Sequence, residues 1–98
     1  MRNPPKASVV ILNWNAKDIL KECIASVKAM TYPIHELIVV DNYSSDGSAG
    51  MVKAEFPEVT LVENDQNYGA IEGKNIGLRK AMESPIDYIF VIDNDLVA

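Results

Sequence analysis

One cysteine, one tryptophan and no long apolar run set the first limits on this chain of 98 residues. Cys23 has no second cysteine to pair with and no zinc-binding spacing around it. That leaves it the role of a small buried hydrophobe and fits a reducing, cytoplasmic compartment. No hydrophobic stretch approaches the roughly 18 residues of a membrane span, and Met1-Arg2-Asn3-Pro4-Pro5-Lys6 has no apolar signal core. Basic residues are scarce as well: nine Lys and Arg against 14 Asp and Glu give a net charge of −5. They are also scattered, which excludes a nucleic-acid footprint while leaving free nucleotides open as ligands. Five Gly and five Pro are too few for a low-complexity or disordered chain.

What is present is a chain that is 48% hydrophobic, with its apolar residues in short blocks between polar turns. Its length allows one domain at most. Ser8 to Asn13 and Glu36 to Asp41 are nearly continuous in apolar, β-branched character, as strands buried on both faces are, and the first of them should be central. Val59 to Glu63 and Asp87 to Asp93 complete four expected strands. Between them, Ile19, Leu20, Cys23, Ile24 and Val27 recur at helical spacing behind Asn15 as the expected cap. Further helices are predicted near Ser48 to Phe56 and Ala70 to Met82. Strand and helix alternate with short connections, so the expected fold class is α/β, a Rossmann-like open parallel sheet.

Every strand exits into Asn, Asp or Ser: Asn13-Trp14-Asn15, Asp41-Asn42 with Ser44, Asn64 to Asn67, and Asp93-Asn94-Asp95. Carboxyl ends of parallel strands share one side of the sheet, so these clusters converge on the crevice where ligands bind. Asp93 and Asp95, two apart on a strand, point the same way about 6.6 Å apart along the chain and suit different roles. Their hard oxygens suit Mg²⁺ or Mn²⁺ carrying a diphosphate. A simple acidic turn would have the same composition. Gly69, Gly73 and Gly77 form one stripe, for which close packing of the helix on the sheet weighs above ligand contact. The first strand's exit has no Gly, so this is not a dinucleotide fingerprint.

The order of these pieces resembles the inverting glycosyltransferases of family 2, with the GT-A fold, and particularly rhamnosyltransferase-like members. The pieces are Val9 to Asn15, Ile38 to Asn42 with Ser44 to Ser48, Asn64 to Gly77, and Asp93-Asn94-Asp95. The resemblance implies that Leu12, Asn13 and Trp14 line the base and ribose pocket and that Asp41 hydrogen-bonds a uracil or thymine ring. It implies Lys74 near the base or diphosphate, Asp93 facing ribose and diphosphate, and Asp95 holding the Mg²⁺ or Mn²⁺ ion. The donor would be a UDP- or dTDP-linked sugar and the acceptor an unknown hydroxyl. Tyr43, Ala70 and Leu96 depart from the usual pattern.

In that pattern the general base falls beyond residue 98, so residues 1–98 read as the truncated N-terminal, nucleotide-sugar-binding part of one glycosyltransferase domain, inactive alone and with no catalytic residue of its own. The full-length parent could sit at the inner face of the membrane. Self-association is expected through the apolar Tyr88 to Ile92. Two rivals are a receiver-like phospho-acceptor domain, suggested by Ile38 to Asn42 and the later aspartates, and a stand-alone nucleotide-binding or assembly module.

Overall fold

A computed structural model of the chain describes residues 5–94. Its elements alternate as expected: β1 (Ala7–Asn13), α1 (Lys17–Lys28), β2 (Ile34–Asp41), α2 (Ser48–Glu55), β3 (Thr60–Glu63), α3 (Gly69–Ala81) and β4 (Tyr88–Asp93). The strands form one parallel sheet in the order β3-β2-β1-β4. β1 is buried along its whole length, as its unbroken apolar character requires of a central strand.

The two faces of the sheet carry separate cores because successive side chains point to opposite sides. Val9, Ile11 and Val39 meet Leu20, Ile24 and Val27 of α1 and Met51 and Val52 of α2. Val10, Leu12, Ile38 and Val40 meet Ala81 and the partly buried Ile76 of α3. On this second face, a Cβ on Gly77 would overlap Val10 Cγ1 and lie 3.0 Å from Val40 Cγ2, and one on Gly73 would lie 2.7 Å from Leu12 Cδ1. Packing against the sheet thus explains two glycines of the stripe.

The strand order bears directly on two of the expectations. Receiver-type sheets run in the order 2-1-3-4-5, which puts the third strand beside the first. Here β4 takes that place and β3 lies beyond β2, so the receiver-like reading is wrong in topology. The order also makes the chain reverse between β1 and β4, and ligands of open α/β sheets bind at such a switch point.

One local expectation fails. Asn15 does not cap α1: it has φ 47°, Ala16 takes the cap position, and no side chain of its own loop meets the helix end. The Lys17 N–H donates instead to Asp46 Oδ2, 3.0 Å away on the loop after β2. Capping depends on which acceptor lies near in space, and spacing along the chain pointed only to local ones.

Candidate nucleotide site at the strand ends

Backbone ladders bring the strand tips together. Asn42 N donates to Asn13 O, Asn64 N to Asp41 O and Asn94 N to Leu12 O, each at 2.9 Å. Upon this frame sits a buried polar network. Asn13 Nδ2 donates to Asp41 Oδ1 at 3.1 Å, and Asn13 Oδ1 accepts from Asn94 Nδ2 at 3.0 Å. Ser44 adds its hydroxyl to Asp41 Oδ1 at 2.6 Å and its N–H to Asp41 Oδ2 at 3.0 Å. Asp41 Oδ1 therefore takes two hydrogen bonds and Oδ2 takes one among the described residues.

The loops that flank this network are clasped to one another. Asn15 Oδ1 accepts from Ser45 N at 2.8 Å, and Asn15 N donates to Ser44 Oγ at 2.9 Å. Asp46 meets Lys17 N through one oxygen and, through the other, Ser48 N at 3.0 Å and Ser48 Oγ at 2.5 Å. Burial alone would raise the Asp46 carboxyl, but the hydrogen bonds from the Ser48 side chain and from the Lys17 and Ser48 backbone outweigh it and hold the group below its ordinary value. Asn42 ties the third loop in: its Oδ1 accepts from Asn64 Nδ2 and Tyr68 N, both at 3.0 Å, and its Nδ2 donates to Gly69 O at 3.1 Å.

Trp14 stands partly exposed at the β1 tip, and the exposed Tyr43 holds φ 67° beside Asp41 and Asn42. Leu12 and Asn13 are buried, so of the three residues expected around the base, Trp14 is the one open to solvent. Lys74, on the first turns of α3, pairs with Asp93 Oδ2 at 3.3 Å and brings a cation to the β4 tip. Asp95, the expected metal ligand, lies outside the described residues. Among those residues no cluster of three or more His, Cys, Asp or Glu could hold a metal ion. The hard oxygens of Asp93 do suit Mg²⁺ or Mn²⁺, which take one or two carboxylates and fill their remaining positions with phosphate oxygens and water.

Two residues of the strand-end clusters hold roles that the sequence reading did not assign them. Asn94 is buried and faces Asn13, and alternation along the strand would have found it, since 94 must point away from 93. The triple role of Asn42 had no local signal, because its partners come from a loop more than twenty positions away.

Residues 8–98 match the family described as Glycosyl transferase family 2. The chain belongs to that family. Among curated relatives, the glycosyltransferase GlyG of Streptococcus pneumoniae is 31% identical over 91 residues, covering 90% of this chain and 29% of its own length. An uncharacterized glycosyltransferase of Haemophilus influenzae is 32% identical over 96 residues, covering 95% of this chain and 37% of its own length. The chain thus spans about a third of the curated relatives it matches. Among solved structures, the mannosyltransferase PcManGT from Pyrobaculum calidifontis, in complex with GDP-Man and Mn²⁺, superposes with a TM-score of 0.80 at 25% identity over 95% of this chain and 28% of that one. S. aureus TarS 1-349 in complex with UDP-GlcNAc gives 0.75 at 22% identity over 92% of this chain and 26% of that one, a likeness of fold alone. The fold is an α/β, Rossmann-like parallel sheet of the kind found in GT-A glycosyltransferases. No helix among the described residues is long and apolar enough to cross a membrane.

Proposed function

We propose that these residues are the donor-binding portion of an inverting glycosyltransferase that moves a sugar from a UDP- or dTDP-linked donor to a hydroxyl acceptor. In that reaction the acceptor oxygen attacks the anomeric carbon, the bond to the nucleoside diphosphate breaks, and the acceptor proton passes to a general base. The observation that carries the reading is the convergence of Asp41, Asn13 and Asn94 at the β1/β4 switch point, beside Trp14 and the Lys74–Asp93 pair.

The occupancy of Asp41 favours a pyrimidine. Two bonds to Oδ1 leave Oδ2 as the better acceptor, and the imide of uracil or thymine presents one N–H. Guanine would present two donors and needs both oxygens. Trp14 supplies an apolar surface for the base or ribose, and Lys74 supplies charge for the diphosphate. Asp95 would hold Mg²⁺ or Mn²⁺ with Asp93 alongside. When bound, the ion acts as a Lewis acid that neutralises charge on the departing diphosphate. The solitary Cys23, whose thiol is pushed up by burial and so kept unreactive, fits a reducing cytoplasm as the place of work.

Trp14 is the one tryptophan of the chain, so its emission reports on this site alone. Titration with UDP, dTDP and GDP should change that emission at lower concentrations of the two pyrimidine nucleotides. Tighter binding of GDP would contradict the pyrimidine assignment.

A further inference from the structure

Asn94, Asn13 and Asp41 stand in a row across the tips of β4, β1 and β2, and all three are buried, with exposures of 4%, 0% and 3%. The orientation of both amides is forced. The Asp41 carboxylate only accepts, so Asn13 must turn its NH₂ toward it and its carbonyl away. That carbonyl faces Asn94, which must therefore donate. The result is a chain of donors running in one direction, from the β4 tip to the Asp41 carboxylate.

Strand pairing alone does not call for this arrangement. The backbone already joins these tips through Asn42 N to Asn13 O and Asn94 N to Leu12 O. Burying two amides and a carboxylate costs free energy that apolar side chains of the same size would not, even when every bond is made. A fully connected polar row in a low-dielectric interior does offer polarisation from one bond to the next.

We propose that Asn13 and Asn94 are positioning residues forming a hydrogen-bonded relay between the Asp41 carboxylate and the β4 tip, so that a nucleotide engaging Asp41 is felt at the tip. The inference rests on the reading of Asp41 as the base contact. An N–H donated to Oδ2 draws charge from the carboxylate and weakens the pull of Oδ1 on the Asn13 amide. The Asn13 carbonyl then accepts less strongly from Asn94, whose neighbours in sequence are Asp93 and Asp95. Linkage makes the effect reciprocal: a ligand at the tip must alter affinity at Asp41 by the same factor.

The test is an NMR titration of the ¹⁵N-labelled chain with UDP alone, following the Asn13 and Asn94 side-chain amides against Trp14 emission. Both amides should shift along the saturation curve that Trp14 reports. In Asn13→Ala, UDP should bind about threefold to tenfold more weakly, the worth of one hydrogen bond, and the Asn94 amide should stop responding. Should that variant fail to fold, Asn94→Ala leaves Asp41 and its direct partner in place and is expected to weaken UDP binding within the same range. An Asn94 amide that stays still while Trp14 responds, or an Asn94→Ala variant of unchanged affinity, would overturn the relay and leave the donor-binding reading standing. No response from Trp14 or from either amide would overturn both.

Discussion

Asn13 and Asp41, 28 positions apart, meet side chain to side chain inside the sheet, with the amide of one donating to the carboxylate of the other at 3.1 Å. The contact needs a neutral donor at 13, because Asp41 is buried and, among the described residues, its carboxylate is met by hydrogen bonds from Asn13 and Ser44. Asn13→Asp, nearly identical in shape, would put a second carboxylate against the first. The variant is expected to lose on the order of 3 kcal/mol of stability at neutral pH. Two adjacent carboxylates cannot both ionise at low cost, so one folded-state pKa must rise. Stability should then recover as pH falls and decline again as pH rises through that raised value. Denaturant melts at several pH values would show it, and a variant as stable as wild type at pH 7 would refute it.

Asp46 should show the opposite sign. Its carboxyl is held below the ordinary 3.8, so its contribution is present above that value and lost as pH falls through the lower folded-state value. Asp46→Asn keeps one acceptor of the two that Lys17 and Ser48 use. It should be less stable than wild type near neutral pH, with the difference shrinking in acid. Thermal melts between pH 2 and pH 7 would check this, and a difference constant with pH would count against it.

The glycines of α2 and α3 separate packing from propensity. Alanine is the better helix former by about 1 kcal/mol. Nothing lies within 4 Å of a Cβ at Gly50, so Gly50→Ala should raise the melting temperature. A Cβ at Gly77 would strike Val10 and Val40, and overpacking of this kind costs about 1–3 kcal/mol, so Gly77→Ala should lower it. Calorimetric melts of both variants should move in opposite directions.

These cases mark how much of the molecule was legible in its sequence. The strands and helices lay within a residue or two of their expected limits, because burial on both faces of β1 and β2 leaves an unmistakable apolar run. The convergence of polar residues at the strand ends followed from parallel pairing alone. What the sequence withheld was long-range: Asp46 capping α1 and Asn42 holding the loop before α3. Each depends on a partner brought near by strand order, which local patterns do not encode. The same limit applied to Asn15, a sound cap by spacing that the clasp with Ser45 draws elsewhere.

β4 pairs with β1 along one edge, and among the described residues no strand lies on its other edge. Tyr88, Phe90 and Val91 are exposed there. An unpaired apolar edge is a template for another chain. The 98-residue chain is therefore expected to self-associate with rising concentration, and Phe90→Lys to suppress it. Light scattering over a wide concentration range would test this, and a monodisperse monomer throughout would contradict it.

The central claim is that one end of the site reads the base and the other holds the ion, and calorimetric titration of UDP with and without Mn²⁺ tests it most directly. Wild type, Asp41→Ala and Asp95→Asn should be compared side by side. Wild-type binding should be weak and strengthened by Mn²⁺. Asp41→Ala should weaken it with or without the ion, whereas Asp95→Asn should remove most of the gain from Mn²⁺ and leave the metal-free affinity in place. Wild-type affinity indifferent to Mn²⁺, or two variants with the same profile, would contradict it.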